Sequence, residues 1–492
     1  MGIVIKQSGI SAALSYAGAI IGYVNLLILF PKYMSPEEVG LTRIIQDAAM
    51  LMVPFAQLGI VHLIVRYFPE HKNKAQYGEF ISLIFSLLII TLILFAGVFL
   101  VFKSSFVTYF SYQSPEVSQY LNYILGLTFI LATYQVMVAF SQSSLNIILP
   151  NFLKEILLRA ITLIGIILFA AQIISFQQFI ILLIGAYSLN LFLLIIYLAR
   201  KGVLNISLKR SYFNSAIIKR MLTFTLFTFL AASGMLIIGK VDSLMVTGML
   251  GLKATAIYTT AFYIAVLIEL PKRAISQIGM PIISNAFQNN NLSDVNEIYR
   301  KSAINNLIIG VIIFIGIWIN LDSIFSLIPR SEIYSLGSMV VLIVGAGKLI
   351  DMAAGLNGEI LVMSKYYKVN VYLIIGLAFF TILANYLLIP VYGLNGAAIG
   401  SAFALLFFNL SKFLFLYRKL KLQPFSANTI KVVILGAVTV LLGFWLPQLD
   451  NIYYDIFYRS AIVSVAYVMG VYFLNVSLDI NQQIDKLLRR KQ

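Results

Sequence analysis

Cysteine is absent from all 492 residues, so disulfides, thiol catalysis and cysteine-ligated metals are excluded. Histidine occurs twice, as His62 in a predicted span and His71 in a predicted loop, and neither gives a Ser/His/Asp or Cys/His scheme a workable geometry. Charged residues make up 11% of the chain, against roughly a quarter in an ordinary soluble domain, which rules out a soluble multidomain enzyme. The 12 prolines and 31 glycines are scattered rather than clustered, so disordered and fibrous classes fail as well. No Walker loop, dinucleotide fingerprint or Asp-rich metal motif is present, and ATP hydrolysis by this chain is not expected. The N-terminus lacks the basic region and small-residue cleavage site of a removable signal, so the apolar stretch 8–30 reads as a retained first helix.

What the chain has instead is apolar length. Hydrophobic residues account for 60% of it, and runs such as 81–102 carry no charge. A spanning helix plus a short connection takes about 35 residues, so about fourteen crossings use up the chain. The expected class is therefore all-α, a polytopic membrane protein. Helices are placed near 8–30, 40–66, 79–102, 118–148, 152–174, 176–199, 220–247, 255–288, 303–328, 334–364, 367–389, 394–417, 429–447 and 457–475.

A net charge of +16 would suggest nucleic acid in a soluble protein, but here the side of the bilayer matters first. With a cytoplasmic N-terminus, about 23 of the 35 Lys and Arg fall on cytoplasmic segments, about 5 outside and about 7 within helices. The inner set includes Arg200, Lys201, Lys209, Arg210, Lys219 and Arg220, then Arg418, Lys419, Lys421 and Lys431. The tail Lys486, Arg489, Arg490 and Lys491 joins them, making both termini cytoplasmic. Topology and contact with anionic membrane lipid account for this charge, and no nucleic acid partner is expected.

A repeat is visible by offset. Segments 34–54 and 250–271 share spacing, with 217 residues between Pro54 and Pro271, and the basic stops Arg200 and Arg418 lie 218 apart. Six helices separate the copies, and an even number of crossings preserves orientation, so the repeat is parallel. This predicts an N-lobe of helices 1–6 over 1–200, a cytoplasmic linker at 201–219 and a C-lobe of helices 7–12 over 220–420. Helices 13 and 14 with the basic tail fill 421–492.

The chemistry to be explained is the ionisable set at membrane depth: Arg43, Asp47, Arg159, Lys240, Asp242, Glu269, Lys272, Arg273, Lys348, Asp351, Glu359 and Lys412. At roughly 2.5 to 3.5 kcal/mol each, such charges facing lipid would cost on the order of 30 kcal/mol in sum. They must face a wet interior or one another. Lys412, near a helix end, reads as snorkelling to the interface, and Arg159 either snorkels or faces inward. Arg43 and Asp47, four apart, either neutralise each other or look elsewhere. Glu269 precedes Lys272 and Arg273 by three and four residues, so one cation is neutralised locally and the other is left over. Lys240 and Asp242 sit roughly 200° apart around a helix and need partners elsewhere. Lys348, Asp351, Gly355 and Glu359 share a stripe of roughly 100° over about 16 Å, long enough to line a cavity. Gly345, Gly347, Gly355 and Gly358 thin that helix for close packing or a local break. Pro54, Pro271 and Pro281 are expected to kink their helices around the cavity.

With these residues in view, the sequence resembles a known family. Segment 31–69, with Gly40, Arg43, Gly59 and the ending Arg66, Tyr67, Phe68, Pro69, resembles the start of the polysaccharide flippases. Asp242, Gly251, Tyr258, Pro271 and Pro281, then Tyr392, Gly393, Leu394, Asn395, Gly396, Ala397 and Ala398, are similar to their later helix segments. The resemblance covers nearly the whole chain and implies the multidrug/oligosaccharidyl-lipid/polysaccharide exporter superfamily, with two six-helix lobes around a central cavity and alternating access. The murein-precursor branch carries arginines in and around its first helix, where this chain has nothing charged beyond Lys6. The multidrug branch has an acidic cation site, where this set leans cationic.

The resemblance thus implies a flippase for an undecaprenyl-pyrophosphate-linked oligosaccharide in the bacterial cytoplasmic (inner) membrane, serving cell-surface polysaccharides such as O-antigen and lipopolysaccharide, and not an enzyme. Arg43, Arg159, Lys240, Lys272, Arg273 and Lys348 are the expected cationic cavity. Asp47, Asp242, Glu269, Asp351 and Glu359 are the expected ion-pair or coupling carboxylates, with a proton or sodium ion as coupling ion and no resident cofactor or metal. Expected partners are the lipid-linked oligosaccharide, membrane lipids, and the glycan polymerase and glycosyltransferases of its pathway. The competing readings are a multidrug/cation antiporter and a membrane glycan polymerase or ligase. External connections at 103–117 and 448–456 are short for the latter.

Overall fold

The computed structural model describes residues 2–72, 76–207 and 215–489. Lys209, Arg210, Arg490 and Lys491 lie outside the described residues, as do the side chains of Lys6, Arg220 and Arg489. Every regular element among the described residues is helical. Twelve of these helices are long and apolar enough to cross a membrane, against the fourteen expected. The run 148–170 is not among the twelve, because it carries Lys154, Glu155 and Arg159. Contacts divide the chain into two compact units, 1–256 and 257–492.

In the first unit, α1 (Gly2–Tyr23) continues through a π-helical stretch, Val24–Leu29, to Tyr33. The next helix, α2 (Pro36–Gln57), starts at a capping box in which Ser35 Oγ accepts from Glu38 N at 3.2 Å and Glu38 Oε2 accepts from Ser35 N at 2.8 Å. The single helix expected over 40–66 is broken: Leu58 (φ 44°) and Gly59 (φ 82°) are left-handed, and α3 (Ile60–His71) begins anew. His71 is therefore helical rather than in a loop, buried with its ring stacked on Phe80 at 4.8 Å.

There follow α4 (Tyr77–Ser111), α5 (Leu121–Ser143), α6 (Leu158–Ala170), α7 (Phe176–Arg200) and α8 (Ser215–Leu250). Within this unit α8 packs on α2. Ile64, Phe68, Phe80, Ile84, Phe140 and Leu194 form a shared core. The outer face of α4 exposes Ile89, Ile93, Leu94, Val98 and Val101, as a surface solvated by lipid tails requires.

The second unit holds most of α9 (Leu252–Val266), then a 3₁₀ turn at Leu267–Glu269 and α10 (Leu270–Gln288). Pro271 stands in the first turn of α10, where its missing N–H costs nothing, so it starts a helix instead of kinking the one expected over 255–288. Pro281 lies inside α10 and Pro54 inside α2. Next come α11 (Leu292–Ile319), α12 (Ser338–Ala353), α13 (Asn357–Met363), α14 (Tyr367–Tyr392) and α15 (Leu394–Leu420).

The unit closes with α16 (Ala427–Trp445), α17 (Ile452–Phe473) and the amphipathic α18 (Leu478–Arg489). The helix expected over 334–364 breaks between α12 and α13. Gly355 takes φ +59° there, and a Cβ on it would lie 3.0 Å from the backbone nitrogen of Ala303. Only glycine meets both demands without strain. Val311 and Ile315 of α11 pack against Val432, Val463 and Tyr467 of the α16–α17 hairpin.

Candidate functional site

In the first unit the charged side chains meet across helices. Lys240 Nζ on α8 donates to Asp47 Oδ1 on α2 at 2.5 Å, and Ser243 Oγ donates to Asp47 Oδ2 at 2.7 Å. The four-residue spacing of Arg43 and Asp47 offered a pair within α2, and both Asp47 carboxylate oxygens also meet α8. Arg43 lies buried over the Phe30 ring at 5.1 Å, its Nη1 3.5 Å from Gln46 Oε1. Asp242 is buried on α8.

Arg159 stands apart from this group. Its Nη2 pairs with Glu155 at 2.6 Å, Nη1 donates to the Gly18 carbonyl, and its own carbonyl accepts from Asn25 Nδ2 at 3.0 Å. These contacts tie α6 to α1. Recesses of about 510 Å³, lined by Lys32, Tyr33 and Gln172 among others, and about 360 Å³, lined by Gln7, Asn146 and Tyr197 among others, include none of the charged set.

The second unit gathers the rest into one network. Lys272 Nζ on α10 donates to Asp351 Oδ2 at 2.6 Å and to the Asp351 carbonyl at 2.9 Å. Asn409 Nδ2 on α15 donates to Asp351 Oδ1 at 3.1 Å, and Asn357 Nδ2 donates to Asn409 Oδ1 at 2.9 Å. Glu269 receives Lys348 at 2.6 Å and Arg273 at 3.3 Å. One turn beyond Lys272, Ser276 Oγ bonds the Glu359 carboxylate. Lys412 on α15 lies with Nζ over the Phe408 ring at 3.7 Å.

Several expectations change here. Glu269 does not leave a cation over: from the 3₁₀ turn it serves Arg273 four residues on in α10 and Lys348 on α12, while Lys272 finds Asp351. The stripe from Lys348 to Glu359 is divided by the Gly355 turn, so Glu359 is presented by α13 and not by a continuous helix. Lys412 does not snorkel to an interface, since it is only 7% exposed. Asn409, Asn357 and Ser276 escaped the sequence reading because neutral amides and hydroxyls are common in helices. Their nearest signal was Asn409 lying one turn from Lys412 on α15.

The network holds four cations (Lys272, Arg273, Lys348, Lys412) and three carboxylates (Glu269, Asp351, Glu359). Most are largely covered, but the Arg273 side chain is 64% exposed. Such a set can receive an anion at its exposed edge, where the guanidinium offers several donors in a planar fork.

A family model described as polysaccharide biosynthesis protein matches residues 4–287, more than half of the chain. An uncharacterized membrane protein of Methanocaldococcus jannaschii is 21% identical over 504 residues, covering 96% of each chain. The capsular polysaccharide biosynthesis protein CapF of Staphylococcus aureus is 23% identical over 390 residues, 76% of this chain and 89% of its own. Among solved structures, the lipid II flippase MurJ in an inward closed conformation aligns with a TM-score of 0.76 at 13% identity, over 94% of this chain and 98% of its own. An inward-facing multidrug resistance transporter of the MATE family, in the MOP superfamily, aligns at 0.64 and 16% identity, over 84% and 97%. At these identities the likeness to both structures is one of fold.

Proposed function

The chain belongs to the polysaccharide biosynthesis protein family, a group of multi-pass membrane proteins, and from that premise we propose that it is a flippase for an undecaprenyl-pyrophosphate-linked oligosaccharide. It would move the glycan head group across a bacterial cytoplasmic membrane by alternating exposure to the two faces, with the prenyl tail remaining in lipid. The observation that carries this reading is the second unit's network, where four cations outnumber three carboxylates and the Arg273 side chain is exposed. A diphosphate needs donors of positive charge, and the three lysines among these donors are already largely desolvated and oriented. MATE transporters share the fold, but a cationic drug would meet a net positive charge here. Coupling to a proton or sodium ion belongs to the same proposal, with Glu269 and Asp351 as the carboxylates able to exchange a counter-ion.

The test uses cells lacking the gene, complemented with the parent chain, Lys348→Ala or Arg273→Ala. The parent is expected to restore glycan export. Both variants should accumulate the cytoplasm-facing lipid-linked intermediate at unchanged membrane abundance. Export at parental levels in both variants overturns the reading.

A further inference from the structure

We propose that Lys412 is the reserve cation of the second unit's network, the side chain that takes over Asp351 when a bound anion claims Lys272. The identity of that anion as a diphosphate rests on the flippase reading; the exchange itself rests on the geometry. Lys272 is committed to Asp351 through two contacts, 2.6 Å to the carboxylate and 2.9 Å to the carbonyl. An anion cannot recruit Lys272 without leaving the Asp351 carboxylate short of its counter-charge, and an unpaired carboxylate in such surroundings opposes binding strongly. A site built wholly of closed pairs would therefore repel the ligand it is meant to receive.

Lys412 removes that obstacle. It is the network's one cation with no carboxylate within 4.0 Å among the described residues, and its Nζ rests instead on the Phe408 ring at 3.7 Å. The contact of an ammonium with a ring face is weaker than an ion pair, so Lys412 is available. Asp351 is already tied to the helix that carries Lys412, through Asn409 Nδ2 at 3.1 Å, three residues earlier on α15. On the α13 side the ammonium lies against Gly358, where a Cβ would stand 3.1 Å from Nζ and crowd it. The long lysine stem lets the ammonium swing from ring to carboxylate while α15 stays in place. Lys412 is thus a positioning residue, acting on the ligand through Asp351.

The experiment is a double-mutant cycle on the purified full chain, with inorganic pyrophosphate as the probe and calorimetry as the readout. Lys412→Met keeps the side chain's bulk against Phe408 without the charge and is expected to weaken pyrophosphate binding by roughly tenfold or more, whereas Lys412→Arg retains it. Asp351→Asn leaves no carboxylate to be rescued, so adding Lys412→Met in that background should change affinity by less than about twofold. Equal losses in both backgrounds would make Lys412 a direct ligand or a packing residue and overturn the exchange. So would parental affinity in Lys412→Met. Absence of pyrophosphate binding by the parent chain would overturn the diphosphate reading and this proposal together, while parental binding without coupling overturns the exchange alone.

Discussion

Lys240 and Asp47 are 193 residues apart in sequence and meet at 2.5 Å, with Ser243 completing the second carboxylate oxygen. Truncating one partner leaves the other charged and largely buried. Asp47→Ala is therefore expected to destabilise the fold by about 3–5 kcal/mol. The double change Asp47→Asn with Lys240→Met should recover most of that loss. Thermal unfolding of the purified protein measures both, and a double variant no more stable than Asp47→Ala would show that the pair does not act as a unit.

Asp455 and Arg459 form a second such pair at the end of the α16–α17 hairpin, at 3.6 Å with each side chain only 3% exposed. Arg459 Nη2 also donates to the Gly443 carbonyl at 3.1 Å, and Asp455 accepts from Ser323 Oγ at 3.1 Å and from Leu449 N at 3.0 Å. Arg459→Ala should cost about 3–5 kcal/mol and speed hydrogen exchange in α16 and α17. Arg273→Gln removes a pair whose arginine is mostly exposed, and its stability cost should stay within about 1 kcal/mol.

Gly355→Ala forces a side chain into a left-handed position and against Ala303. The backbone conformation alone costs about 1–3 kcal/mol. Faster hydrogen exchange across 350–363 is expected, along with lower pyrophosphate affinity, because Asp351 and Glu359 are positioned on opposite sides of this turn. Unchanged exchange would mean that the turn tolerates a Cβ.

Glu269→Gln releases both Lys348 and Arg273 from their shared carboxylate. Pyrophosphate binding should tighten, on the order of tenfold, while glycan export falls because release from the site slows. A titration beside an export assay separates the two effects, and weaker binding would count against an anion site at this edge.

The sequence makes the pairing of Glu269 with Arg273 legible, because helical spacing brings residues four apart together. The same rule applied to Arg43 and Asp47 does not point to Lys240, which Asp47 meets at 2.5 Å. Lys240 is recognisable as needing a partner on another helix, but nothing in its neighbourhood names Asp47. Lys412 reads as an interfacial lysine because its distance from the helix end is visible, whereas the packing that leaves it 7% exposed is not. Breaks at Leu58–Gly59 and at Gly355 are signalled only as glycines, since whether a glycine is a bend or a packing point depends on what approaches it. In the second case that is Ala303.

Apolar runs, scarce charge and missing cysteine determined by themselves that this is an all-helical membrane chain, because the cost of burying peptide groups and charges in hydrocarbon depends on local composition and length. Which lysine answers which carboxylate was decided only by tertiary structure. Such pairings depend on the rotation and crossing of packed helices, and no periodicity within a single helix encodes those.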